Sequence, residues 1–279
     1  MRLRSICFIL LIAVSFALGA GEPLQATEVK PVRLSSTIGP VDAGIVPLLA
    51  KTYTEKTGVP VLFEGAGTGA TLKKAQGGTF DMVMVHARKL EDKFIADGFG
   101  LTRLDVMYND FVILGPQGDP AGIKGEKNAS KAFAIIAEKK APFITRGDNS
   151  GTHVKEMEIW AQANITPDTS WYELFADGSK GNKATTLVAN ERQSYLLMDR
   201  ATWLTLKDDI TLVPLVEGDD ILLNFIAVID VNPAQFPDIN ADGAKKFIAW
   251  LVSDEAQGII KTFGVEQYGQ PLFFPNAQK

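Results

Sequence analysis

Apolar and polar positions alternate in VRLSS (32–36), and the period then changes. In DAGIVPLLAKTYTEKTG (42–58), Val46, Leu49, Ala50 and Tyr53 fall on one helical face and Gly58 closes the run. Pro47 fits that helix only near its first turn, where a missing N–H costs nothing. The exchange of periods continues with VPVLFEG as a strand, TLKKAQGG as a short helix, FDMVMVH as a strand and ARKLEDKFIADGFG as a helix. Short strand–helix units in succession predict a parallel sheet covered on both faces.

DFVILGP (110–116) opens a second series, continued by ASKAFAIIAEKKA, PFITR, GTHVKEMEIWAQAN, SYLLMDRATWLTL and ITLVPLV. ILLNFIAVID (221–230) is almost unbroken apolar sequence, as expected of a buried strand passing between two bodies. In ADGAKKFIAWLVSDEAQGIIKTFG, residues Phe247, Trp250, Leu251 and Ile259 are spaced for one helical face. No repeat, low-complexity tract or Pro/Gly-rich linker divides the chain. The expected class is α/β, with two lobes, each a mainly parallel sheet flanked by helices, joined by crossover strands. Residues 27–110 with 225–279 form one lobe, and 111–224 the other.

Composition leaves that picture standing: 46% of the 279 residues are hydrophobic and 22% charged, ordinary for a globular protein. The first 26 residues stand apart. Arg2 and Arg4 precede an apolar stretch from Ile6 to Leu18, followed by small residues at Gly19 and Ala20. That is the pattern of a secretory signal peptide, cleaved after Gly19, Ala20 or Ala26. The stretch is shorter than the ~20 residues a spanning helix needs. Cys7, the one cysteine, lies inside it, so the exported chain would have no thiol and no disulfide. A formal charge of −5, slightly more acidic once Arg2, Arg4 and Glu22 are removed, argues against nucleic acid and anionic membrane as partners. No second apolar run approaches spanning length, and a soluble mature protein is expected.

Four stretches are candidates for chemistry. LSSTIGP (34–40) puts Ser35, Ser36 and Thr37 where the first strand meets the first helix, as ligand donors or as ordinary helix caps. EGAGTGATLKK (64–74) places Gly65, Gly67, Gly69 and Thr68 at a second such junction, as an anion cradle or a tight turn. Its G-x-G-x-G spacing is not the dinucleotide fingerprint, and no Gly-Lys-Ser/Thr follows to make a P-loop. ITRGDNSGTHVKE (144–156) sets Arg146 at a strand end, with Ser150, Gly151 and Thr152 at a helix start. Arginine suits bidentate oxyanion contacts, and a surface ion pair with a helix cap is the alternative. DGSKGNKATTLVANERQ (177–193), with Lys183, Thr185 and Thr186, is a glycine-rich loop before a helix, most simply a solvated one. A serine nucleophile needs a base, and His86 and His153 are the only histidines. Metal ligation lacks a donor set, and neither a metal nor a cofactor is expected.

Taken together these stretches resemble one family. TRGDNSGTHVKE looks like the Ser-Arg-Gly-Asp-x-Ser-Gly-Thr-His run of the substrate-binding proteins of tungstate ABC transporters. GTFDMVMVHARKLEDKFIADGFGLTRLDVMYNDFVILGPQGDPAGIKG (78–125) is similar to that family's middle section. ANERQSYLLMDRATWL and KKFIAWLVSDEAQGIIKTFGVEQYGQPLF resemble its C-terminal half. The resemblance covers nearly all of the mature chain. It implies a two-lobed periplasmic-binding-protein fold of type II kind, holding a tetrahedral dianion between the lobes. Carried over by position, it points to Ser36 and Thr37 in the first loop, Thr68 in the second, and Arg146, Ser150 and Thr152 in the third.

This chain departs from the family in two places. A Thr-Thr-Thr-Ser run becomes Ser36-Thr37-Ile38-Gly39, followed by Pro40, and a Gly-Met-Gly-type loop becomes GNKATTL with Lys183. A lost donor to a buried charged ligand costs roughly 1.5–3 kcal/mol, about ten- to a hundredfold in affinity. The resemblance implies an exported, non-enzymatic, monomeric oxyanion-binding component of an importer, partnered by a membrane permease with its ATPase. Tungstate is the first candidate ligand. Molybdate, a small carboxylate or a sulfonate is the alternative, as is a sensory role. A periplasmic enzyme would need an acid/base pair, for which only His153 with Asp148 is in sight.

Overall fold

The structure, a computed structural model, describes residues 29–277; the expected signal peptide with Cys7 lies outside the described residues. The chain opens with strand β1 (Val32–Thr37), a five-residue helix α1 (Ile38–Asp42) and helix α2 (Ile45–Thr57). The α2 face predicted from spacing is the buried one: Ile45, Val46, Leu49, Ala50 and Tyr53. Pro47 sits in its first turn, where it is harmless. Gly58 ends the helix at φ 72°, and its N–H reaches the Thr54 carbonyl. Strand β2 (Val61–Ala66), helix α3 (Thr68–Ala75), strand β3 (Met82–Val85) and helix α4 (Arg88–Ala96) follow. The α3 helix starts three residues before the predicted TLKKAQGG, because its glycine-rich first turn hides the helical period.

Strand β4 (Gly100–Gly115) is far longer than the expected run at 110–116. Residues 101–105 are exposed or half-buried, and only from Phe111 onward is the strand buried without a break, which is the part an apolar run betrays. Then come helix α5 (Ala129–Lys139), strand β5 (Phe143–Thr145), helix α6 (Gly151–Gln162) and strand β6 (Tyr172–Leu174), the last not foreseen. Helix α7 (Asn182–Arg192), strand β7 (Leu196–Asp199), helix α8 (Arg200–Leu206), strand β8 (Val213–Val216) and strand β9 (Leu223–Val231) complete the second series. The amphipathic tail is two helices, α9 (Ala241–Leu251) and α10 (Asp254–Thr262), rather than one. Ser253 caps the second by accepting from Ala256 N–H, which resets the phase and buries Ile260 instead of Ile259. Helix α11 (Val265–Tyr268) and strand β10 (Phe274–Pro275) end the described chain.

The main sheet runs β10-β4-β9-β3-β1-β2, with β7 and β8 also on β4. The pairs predicted from the first strand–helix repeats are parallel, β1 with β2 and β1 with β3, and so is β5 with the unforeseen β6. The long strands β4 and β9 pair antiparallel with each other, and β9 antiparallel with β3. At Asp110 the β4 strand changes partners: it faces β9 up to that residue and β7 from Phe111 onward. Arg200 grips Asp110 at 2.6 Å where the partner changes. One apolar cluster joins β1, α2, α9 and α10, with Tyr53 and Trp250 ring centroids 5.4 Å apart. Another joins α5, α6 and β5 around Phe133 and Trp160, whose rings lie 4.2 Å apart. Strand β4 thus runs through both packed regions, with Val106 and Met107 in the first and Phe111 and Ile113 in the second.

Candidate functional site

Parallel strands deliver their C-terminal ends to the starts of the following helices, and free N–H groups gather there. Four such junctions meet in this chain. Thr37 pairs in register with Ala66, which puts the first and second loops side by side. Thr71 Oγ1 ties them by donating to the Ser36 carbonyl at 3.1 Å. A side chain at Gly67 would meet Ser150 at 3.5 Å, and one at Gly69 would meet the Asn149 carbonyl at 3.5 Å. Glycine at these points lets the second and third loops touch. Across the other side, Gly181 faces Ile38 and Gly39 faces the Asn182 amide. The helices starting at Thr68 and Asn182 have no side-chain cap, so their first N–H groups stay open.

All six residues expected as ligands are buried here: Ser36, Thr37, Thr68, Arg146, Ser150 and Thr152. Their hydrogen bonding divides them. Thr37 Oγ1, Thr68 Oγ1 and Arg146 Nε have no hydrogen-bond partner, and neither does the nearby Ser35 Oγ. Ser150 Oγ accepts from His153 N–H at 3.2 Å as the α6 cap, which leaves its own proton to donate. Ser36 Oγ donates to the Thr37 carbonyl at 3.1 Å, and Thr152 Oγ1 to Asn182 Oδ1 at 3.2 Å, so these two protons are spent inside the protein. Arg146 is held from two sides, by Asp148 Oδ2 at 2.6 Å and by Asn182 Oδ1. Buried donors left unpaired are rare in native proteins because each forfeits its hydration. A set of them on neighbouring loops suits an acceptor-rich ligand.

Other expectations are resolved differently. Thr185 and Thr186 bond back to the Gly181 and Asn182 carbonyls within their helix. Lys183 is exposed and lines an outer recess of about 570 Å³ with Asp42 and Lys180. Asp148 and His153 brace the third loop: Asp148 Oδ1 accepts from Ser150 N–H at 3.1 Å, and His153 Nδ1 from Asn149 N–H at 3.1 Å. Burial keeps His153 below the ordinary imidazole range. Among the described residues no cluster of His, Cys, Asp and Glu could hold a metal ion.

Several residues here carry no sequence signal of their own. Asn182 joins Arg146, Thr152 and Asp199, and Asp199 caps α8. Burial raises the Asp199 carboxyl pKa, while hydrogen bonds from Thr202 and Asn182 pull it back. Burial and the neighbouring Asp199 also raise Asp42, with Lys183 and Arg146 opposing. His86, just past β3, shares its Nδ1 with Asn224 Oδ1 at 2.7 Å, and Asn224 Nδ2 donates to Asn109 Oδ1 at 2.6 Å. Loss of surrounding water pushes the His86 pKa down to about 4, so the ring is neutral near pH 7. The ring lies against Gly151, where a Cβ would stand 2.2 Å from its Cε1. A residue-type pattern could not have flagged these, since single Asn and His residues are common everywhere.

Comparison with known proteins gives this geometry a context. A family model described as a PBP superfamily domain matches residues 25–255. The tungstate-binding protein TupA of Peptoclostridium acidaminophilum is 40% identical over 259 residues, 92% of this chain and 90% of that protein. The solved structure of the tungstate ABC transporter from Geobacter sulfurreducens is 42% identical, with a TM-score of 0.77 over 84% of this chain and 98% of that one. The tungstate-binding protein TupA from Desulfovibrio alaskensis G20 is 37% identical, with a TM-score of 0.77 over 89% of this chain and 100% of its own. The α/β architecture described above is that of these binding proteins.

Proposed function

This chain belongs to the PBP superfamily and, within it, to the family of tungstate-binding proteins of ABC transporters; from that premise we propose that it captures tungstate for an importer. One observation carries the reading. Thr37 Oγ1, Thr68 Oγ1 and Arg146 Nε are buried, unpaired donors from three separate strand ends. A tetrahedral oxyanion offers acceptors in several directions at once and would satisfy all three. The open N–H groups at the α3 and α7 starts add donors of the same sign.

In this reading residues 27–110 with 225–279 form one lobe and 111–224 the other. Closure about β4 and β9, near Asp110 and Leu223, brings Thr37 and Thr68 onto Arg146 and Ser150. Excluding water strengthens each charged hydrogen bond in the cleft. The protein is exported to the periplasm by residues 1–26, acts as a monomer, performs no chemistry on its ligand and passes it to a permease with its ATPase. Titration calorimetry of ligand-stripped protein with tungstate, molybdate, sulfate and a panel of carboxylates and sulfonates tests this. Tungstate should bind tightest at micromolar concentration or below. No heat with tungstate, and a clear isotherm with an organic acid, would overturn the assignment.

A further inference from the structure

Arg146 is the one guanidinium placed among the unpaired donors, and an arginine on a flexible stem is useful only if something fixes its orientation. Two groups do so here. Asp148 Oδ2 takes Nη2 at 2.6 Å, and Asn182 Oδ1 takes Nη1 while also accepting from Thr152 Oγ1 at 3.2 Å. Asn182 is itself fixed: its Nδ2 donates to Asp199 Oδ2 at 2.6 Å, and Asp199 is held by Thr202 N–H and Oγ1 at 2.8 and 2.7 Å. The amide is buried at 6% exposure, so neither contact is lent to water.

We propose that Asn182 is a positioning and charge-selective residue of the anion site, orienting Arg146 so that its unpaired Nε faces the ligand. This rests on the reading of the site as an oxyanion pocket. Every member of the relay lies between residues 146 and 202, on the loop after β5 and on α6, α7, β7 and α8. The arginine is therefore held before the β1 and β2 loops arrive. The choice of an amide has a physical reason: its oxygen holds the guanidinium as a carboxylate would, without placing a second negative charge beside a dianion.

Two variants separate this from a merely structural role. With tungstate and perrhenate, tetrahedral anions of similar size and of charge −2 and −1, Asn182→Ala should weaken both by about tenfold. Asn182→Asp should weaken tungstate by the larger factor, since the added repulsion scales with ligand charge. The ratio of the two dissociation constants then shifts. A structural role would weaken both anions equally and leave that ratio unmoved, and this result, or wild-type binding by Asn182→Ala, overturns the proposal. Wild-type protein that binds neither anion would instead overturn the functional assignment. The Arg146 side-chain resonances in ligand-free protein then decide the positioning claim: the guanidinium Nη signals should be split by hindered rotation, and averaged in Asn182→Ala. Unchanged splitting overturns it.

Discussion

Thr68 illustrates how a candidate binding residue differs from a packing one. Its hydroxyl is fully buried without a partner, so the folded protein carries an unpaid desolvation cost at that atom. Thr68→Val keeps the shape and removes the cost. Its melting temperature should hold or rise, while tungstate affinity falls about tenfold, as measured by paired thermal denaturation and calorimetry. An equal fall in both would mean the hydroxyl has a structural partner. The six candidate residues were legible because hydroxyls, glycines and an arginine cluster where strand period gives way to helix period. What was not legible is which of their hydrogen atoms are already used. Ser36 and Thr152 look like Thr37 and Thr68 in sequence, and only a neighbouring carbonyl or amide oxygen separates them.

Helix α6 joins the site to the protein behind it. Its first residue, Gly151, lies under His86, whose ring occupies the space a Cβ would need. Gly151→Ala should therefore hold the third loop away from the β3 end and weaken tungstate binding by about tenfold or more. Adding His86→Ala should recover most of it, a coupling that a double-mutant cycle reads directly. One turn further along, Glu156 accepts from Tyr172 at 2.5 Å in a buried setting. Burial pushes its pKa up from 4.5 to about 7. The folded state then keeps a proton that the unfolded chain releases, so its stability contribution is full below pH 4.5 and lost as pH rises through about 7. His86 acts in the opposite sense: its contribution is full above pH 6.5 and lost as pH falls toward 4. The two slopes oppose between these limits. Glu156→Gln removes one of them, and its melting temperature should climb with pH between 4.5 and 6.5 more steeply than wild type does.

At the scale of the molecule, β4 and β9 are the strands on which the proposed closure turns. They pair with each other at Asn109 and Asn224, and just beyond that point β4 takes new partners. In the proposed two-lobe reading, bending there repositions the third and fourth loops against the first two. Small-angle scattering should report a smaller radius of gyration with saturating tungstate than without it. Identical scattering in both conditions would exclude closure as the capture step. Among the described residues no helix is long and apolar enough to cross a membrane.

Periodicity by itself determined the strand–helix order of the first units, the buried face of α2 and the parallel pairing of β1 with β2 and β3, because these follow from which side chains must leave water. Residue chemistry placed the anion-binding candidates at strand ends for a similar local reason. The length of β4, the break between α9 and α10, and the start of α3 depended on contacts and caps that no short window contains. The same holds for the site's inner wiring. Asn182, Asp199, His86 and Asn224 are ordinary residues whose roles arise from partners 17 to 138 positions away, and hydrogen bonds over such separations exist only once the chain has folded.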